Sequence, residues 1–194
     1  MNPIIPNIGY LIIIIGTFVV RYPYQKRNKA NKIERNEKDS IEKFTLALVF
    51  LGMMIIPLVF ILTDILNFAN YNLPFPWRAI GLLIIFPTLW LFYRSHKDLG
   101  LNWSVSLEIR EKHTIIDQGV YKYIRHPMYS SIWLWTIAQI LLLNNYIAGL
   151  SGIISFGILY FLRVNREEKM MIETFGRSYQ NYISRTKRII PFLY

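Results

Sequence analysis

Residues 44–66 read FTLALVFLGMMIIPLVFILTDIL, a run whose only charge, Asp64, stands near one end. A helix rises about 1.5 Å per residue and a bilayer's hydrocarbon core is about 30 Å thick, so about twenty such residues cross it. Outward from this run, residues 75–93 form a second stretch of the same kind, with Arg78 near its start. Residues 8–20, extendable back to Ile4, are shorter but meet no charge before Arg21. They lack the basic n-region and small-residue cleavage site of a signal peptide, which predicts a retained span. Farther along, apolar residues 132–143 and 146–162 are separated only by Asn144 and Asn145, the pattern of a tight helical hairpin. Each half is marginal in length. Ser130 and Ser131 extend the pair at one end, and a snorkelling Arg163 extends it at the other. A re-entrant hairpin that stops short is the alternative. The expected fold is an all-α integral membrane protein with five transmembrane helices, the last two a hairpin over residues 130–162.

Composition agrees with that reading. Of 194 residues, 53% are hydrophobic and 18% charged, against about 25% charged in a soluble domain; a disordered chain is excluded. The net charge of +10 is not spread evenly. Residues 21–43 carry eight Lys/Arg, residues 94–131 six and residues 163–194 seven, while residues 1–7, 67–76 and the Asn pair carry none. By the positive-inside rule the basic loops and the C-terminus are cytoplasmic and the N-terminus is outside. The positive charge is then mainly a topological signal, with anionic headgroups as its partner rather than nucleic acid. Cysteine is absent, which excludes disulfides and thiolate chemistry. His96, His113 and His126 lie far apart with no HxxxH or HExxH pair, so no metal site is expected. No GxGxG or GxGxxG follows a strand, which makes any nucleotide-derived ligand site non-Rossmann.

The chain divides into residues 1–93, three helices with the basic connector 21–43, and residues 94–194. The second part holds the mixed loop 94–131, the hairpin and a tail that breaks at Gly176. A pocket is expected where the loop meets the tail, on the cytosolic face, with Tyr179, Tyr182 and Phe192 as lid candidates. Two clusters could carry chemistry there. Arg163 and Glu167 share a helix face at i,i+4, either as a plain surface ion pair or as a grip on a charged ligand. The other is Arg125-His126-Pro127-Met128-Tyr129, in which Pro127 suits a helix's first turn and His126 its N-cap. Interfacial anchoring explains Arg125 and Tyr129 equally well, and so does a helix start that binds an anionic group. Gly119 and Tyr121 add a turn and an aromatic face.

Taken together, His113-Thr114-Ile115-Ile116, Gly119-x-Tyr121-x-x-x-Arg125-His126-Pro127-x-Tyr129 and Arg163-x-x-x-Glu167-Glu168 resemble the signature of the isoprenylcysteine carboxyl methyltransferases. Phe175-Gly176, Tyr179, Tyr182 and Ile190-Pro191-Phe192 continue the pattern. The resemblance covers roughly residues 105–194; the first three helices match only in kind. Length and span number resemble the family's compact prokaryotic form, of the methanogen-type archaeal kind.

What the resemblance implies is a membrane enzyme that methylates the α-carboxylate of an isoprenylated cysteine with S-adenosylmethionine, releasing S-adenosylhomocysteine. The positions of His113, Thr114, Ile115, Ile116, Tyr121, His126, Pro127, Met128, Tyr129 and Glu167 would bind the cofactor, and that of Arg163 the lipid substrate. Arg163 and Glu167 would be the catalytic pair. The family's eukaryotic members carry a Gln upstream of the His-Thr pair, where this chain reads SVSLEIR over 104–110. A carboxylate is already ionised at neutral pH, so no general base is required, in keeping with a chain that has no evident nucleophile–base pair. Arg163 would position the carboxylate with its planar fork, while Glu167 holds the cofactor's positive end. An amine-directed phospholipid N-methyltransferase is the same-class alternative and would need Glu167, Glu168 or His126 as a base. A sterol-type reductase would need a phosphate-binding cluster from Arg166, Arg185, Lys187 and Arg188 for NADPH. A non-catalytic membrane scaffold would need neither cluster. Oligomeric state is not legible; Gly9 and Gly16 are the only small contact residues of the first helix.

Overall fold

A computed structural model of the protein describes residues 4–28, 32–36, 39–111 and 113–193. Helix α1 spans Ile4–Asn28, α2 Ser40–Phe50, α3 Ile56–Leu62, α4 Phe75–Leu99, α5 Pro127–Leu143, α6 Tyr146–Phe175 and α7 Arg177–Arg185. Four stretches are long and apolar enough to cross a membrane: Ile4–Asn28, Ser40–Leu62, Phe75–Asn102 and Tyr146–Phe175, with Pro127–Leu143 a shorter apolar helix. Leu62, Leu83, Phe86 and Phe161 are each more than half exposed. An apolar exterior of that kind is stable where hydrocarbon, not water, is the solvent.

The helices outrun the apolar runs that predict them. α1 continues through Arg21 and past Pro23 to Asn28, so residues 21–28 are helical rather than part of a connector. α6 passes Arg163 and runs to Phe175, and the break expected at Gly176 is there, turning the chain with φ +55° before α7 begins. Among the described residues, one two-stranded sheet departs from an all-helical architecture. Strands β1 Ile33–Asn36 and β2 Glu108–Arg110 pair antiparallel and tie the first basic loop to the second. Between α5 and α6, Asn144 takes the left-handed conformation, and the Asn145 side chain caps α6 by accepting from the Ile147 and Ala148 N–H groups. The 93/94 division falls within α4, which packs along both α1 and α5.

Between α2 and α3 the helix widens into a π turn over Leu51–Ile55. Pro57 has no N–H for the Met53 carbonyl, and the π register leaves the Gly52 carbonyl without a backbone donor as well. In hydrocarbon such carbonyls must find protein partners. Tyr10 on α1 donates its hydroxyl to the Met53 carbonyl at 2.8 Å, and Gln139 Nε2 on α5 donates to the Gly52 carbonyl at 2.9 Å. Ser151 Oγ on α6 donates to that same carbonyl at 2.7 Å. Three helices are thereby fastened to one kink, beside the core of Tyr10, Ile13, Met53, Phe156 and Tyr160. Gly52 permits the approach, since a Cβ there would stand 2.5 Å from the Ser151 carbonyl oxygen. Gly52→Val should therefore cost about 1–3 kcal/mol by overpacking, read as a lower thermal midpoint of the purified protein in detergent. An unchanged midpoint would show that this contact is slack.

Candidate active site

Where α5 begins, His126 is the N-cap and Pro127 the first helical residue. The strand-like tail lies beside this start: Arg125 N–H donates to the Lys187 carbonyl at 2.8 Å and His126 N–H to that of Arg188 at 2.9 Å. Glu168, buried on α6, locks the two together. It accepts from Arg125 Nε at 2.6 Å and from an Arg188 terminal nitrogen at 2.7 Å, with His126 Nε2 at 3.2 Å. Upstream, the turn at Gly119 needs a positive φ, +60°, and its missing Cβ leaves room for Asp98. Asp98 in turn accepts from Val120 N–H at 2.9 Å. That turn presents Tyr121, whose carbonyl accepts from the Tyr182 hydroxyl of α7 at 2.7 Å. Burial raises both phenols above their ordinary range, so each stays a protonated donor.

A cleft opens between these pieces. His113, Thr114, Ile115, Ile116, Tyr121, His126, Met128, Tyr129, Arg163 and Glu167 all line it. Pro127 does not; it serves as the start of α5. Tyr179 and Tyr182 close the tail side, whereas Phe192 is 85% exposed and takes no part as a lid. Glu167 is the acidic centre. It accepts from the Tyr129 hydroxyl at 2.5 Å, with Arg163 Nε at 3.8 Å and His126 Nδ1 at 3.8 Å. Burial lowers the His113 pKa, and the nearby Glu167 carboxylate offsets part of that shift.

Sequence reasoning passed over several participants. Asn102 donates to the Thr114 carbonyl at 3.0 Å and steadies the segment 113–116. Glu42, at the start of α2, accepts from Leu107 N–H at 2.9 Å and pairs with Arg163 at 3.3 Å. Its one signal was a carboxylate at the edge of an apolar run. Trp103, Ser104, Ser106 and Glu108 also face the cleft, and the Ser104 and Ser106 hydroxyls donate to Glu108.

A second, largely apolar cavity runs between α1, α2, α5 and α6. Met53, Trp135 and Phe156 line its inner part and Tyr22, Gln25 and Arg163 the other end. Trp103, Ser104, Met128, Tyr129 and Arg163 line both cavities, so the polar cleft and the apolar groove meet at these side chains. Buried polar atoms collect at the junction without hydrogen-bond partners: Trp103 Nε1, Arg163 Nε and, deeper in the cleft, His113 Nδ1. Such a site suits a polar ligand with a positive centre beside Glu167 and an amphipathic ligand whose apolar part fills the groove.

A sequence model of the isoprenylcysteine carboxyl methyltransferase (ICMT) family matches residues 75–173. Among curated proteins, a protein-S-isoprenylcysteine O-methyltransferase of Dictyostelium discoideum is 34% identical over 140 residues, covering 55% of this chain and 57% of that protein. The human protein of that name is 33% identical over 94 residues, covering 48% of this chain and 33% of the relative. For the fission yeast Schizosaccharomyces pombe the figures are 27% over 89 residues, 46% and 38%. The chain thus spans from a third to just over half the length of these relatives. All three are eukaryotic, and the expectation of a methanogen-type archaeal form is not borne out. A solved structure described as the eukaryotic intramembrane Ras methyltransferase ICMT matches the fold with a TM-score of 0.59 at 21% identity, covering 97% of this chain and 68% of that one.

Proposed function

The chain belongs to the isoprenylcysteine carboxyl methyltransferase family, and from that premise we propose that it transfers a methyl group from S-adenosylmethionine to the α-carboxylate of an isoprenylated cysteine. The observation that carries this is the meeting of a polar cleft and an apolar groove at Met128, Tyr129 and Arg163. A water-soluble donor and a lipid-anchored acceptor can touch only at such a junction. When bound, the donor would supply an electrophilic methyl on a sulfonium; the acceptor's carboxylate oxygen would bond to that methyl as its bond to sulfur breaks, and S-adenosylhomocysteine would leave.

The protein's part is binding, orientation and removal of water, which for well-placed partners lowers a barrier by roughly 7–11 kcal/mol. His113 to Ile116, Tyr121, His126, Met128 and Tyr129 would hold the donor. The Glu167 carboxylate, oriented by the Tyr129 hydroxyl, would face its positive centre. Arg163 would position the acceptor, and the groove bounded by Leu46, Val49, Met53, Trp135 and Phe156 would take the prenyl chain. No residue needs to accept a proton, because the nucleophile is an anion already. The basic loops support a cytoplasmic site with the N-terminus on the opposite side.

Membranes given methyl-labelled donor should transfer label to a farnesyl-cysteine analogue as a base-labile ester. Label entering phosphatidylethanolamine instead would replace this reading with the amine-directed one. A second test is pH. His113, its pKa held below the ordinary histidine value by burial, is neutral at pH 7 and above, so binding of S-adenosylhomocysteine should be flat from pH 7 to 9. S-adenosylmethionine, being cationic, should bind more weakly as pH falls well below 6.5, because protonation of His113 adds a like charge to the cleft. Titration calorimetry of both ligands measures this. Stronger S-adenosylmethionine binding in acid would refute the assignment of His113.

A further inference from the structure

Arg21 lies on α1, outside the 75–173 segment matched to the family, and lines the apolar groove together with Arg163. An arginine at a helix's polar end ordinarily snorkels outward to water or headgroups. This one turns inward. Its guanidinium carbon sits 5.4 Å from the Phe92 ring centroid and 5.8 Å from that of Trp103, and its Nε is buried without a hydrogen-bond partner. Both rings lie within cation–π range of the charge, an attraction that uses none of the guanidinium's hydrogen-bond donors. Among the described residues no carboxylate or carbonyl accepts from it.

Arg163 is differently placed. It donates to the Val105 carbonyl at 2.9 Å and has Glu42 at 3.3 Å and Glu167 at 3.8 Å. Those two carboxylates outweigh its single charge, so an anionic acceptor approaching Arg163 alone would meet a net negative cluster, with Glu108 also facing the cleft. Arg21 adds a second positive charge to the groove that Arg163 lines. Arg21 is half-buried with its Nε fully buried; a partly desolvated cation with no counter-ion is unfavourable, and a ligand with one negative charge at the junction and an apolar chain in the groove would relieve that.

We infer that Arg21 is a substrate-binding residue that pairs with the carboxylate of the lipid acceptor, Arg163 being held by its two acidic partners as the second cation. This rests on the prenylcysteine reading above.

The test uses the purified full chain with N-acetyl-S-farnesylcysteine as acceptor and the methyl ester of the same compound as an uncharged competitor. Arg21→Gln should raise the KM for the acid at least tenfold and leave calorimetric affinity for S-adenosylhomocysteine unchanged. Affinity for the ester should be equal in Arg21→Gln and the unmodified protein, and Arg21→Lys should recover most of the loss. If Arg21→Gln fails to bind S-adenosylhomocysteine through misfolding, Arg21→Met, which keeps the apolar stem over Phe92 and Trp103, gives the same comparison. An unchanged KM, or an equal weakening of acid and ester, overturns the inference while leaving the methyltransferase reading intact. An unmodified protein that methylates no prenylcysteine overturns both.

Discussion

Glu167→Ala is expected to lower methyl transfer at least about a hundredfold, a loss of roughly 2.7 kcal/mol of transition-state stabilisation, without lowering the amount of folded protein. The carboxylate is partly exposed to the cleft, with 28% of its side chain accessible, so its removal strands no deeply buried cation. Arg163 keeps its contacts to Glu42 and the Val105 carbonyl. What is lost is the negative group that Tyr129 holds by its hydroxyl at 2.5 Å and that would face the donor's positive centre. Affinity for S-adenosylmethionine should fall more than affinity for S-adenosylhomocysteine, because only the former is cationic at sulfur. Glu167→Gln keeps the shape and the contact with the Tyr129 hydroxyl but not the charge, and it should remain nearly as inactive. Near-normal turnover by either variant would remove Glu167 from the mechanism.

Glu168→Ala should act on the neighbouring position in the opposite manner, through stability. Its carboxylate is the shared partner of Arg125, His126 and Arg188, and Arg125 has only 9% of its side chain accessible. Removing one member of a buried ionic cluster leaves charges without compensation and typically costs about 3–5 kcal/mol. The thermal midpoint should drop by several degrees, and limited proteolysis should release the segment after α7 sooner, since that knot fastens the tail to the start of α5. A variant with unaltered midpoint and unaltered cleavage would show that the backbone pairing of residues 125 and 126 with residues 187 and 188 suffices.

That two adjacent glutamates divide so sharply follows from helix geometry. Successive residues are displaced by about 100° around the axis, so Glu167 meets the cleft and Glu168 meets the base of α5. The doublet is visible in the chain, but which of the two faces the cleft is set by the packing of α6 against α5. Tyr129 shows the same limit. Its place two residues after Pro127 predicts an interfacial aromatic as readily as a ligand contact, and only the fold puts its hydroxyl on Glu167. The end of α1 was underestimated for a related reason. Residues 21–28 contribute nothing to an apolar run, yet their backbone continues α1 because a helix, once nucleated, extends at little further cost.

By itself the sequence determined the long apolar helices, the break at Asn144–Asn145, the start of α5 at Pro127 and the short motifs that hold His113, Tyr121, Tyr129 and Glu167. These depend on run length, local turn chemistry and short motifs, all of which act between near neighbours in the chain. Only the tertiary structure decided that Arg21, Glu42 and Trp103, from three separate elements, stand at one junction with Arg163. It decided equally that a kink at Gly52 is satisfied by side chains of α5 and α6, and by α1 at the adjoining Met53 carbonyl. Buried charges and freed carbonyls take whatever partner packing brings within reach, and no local pattern encodes a partner that lies on a distant element of the chain.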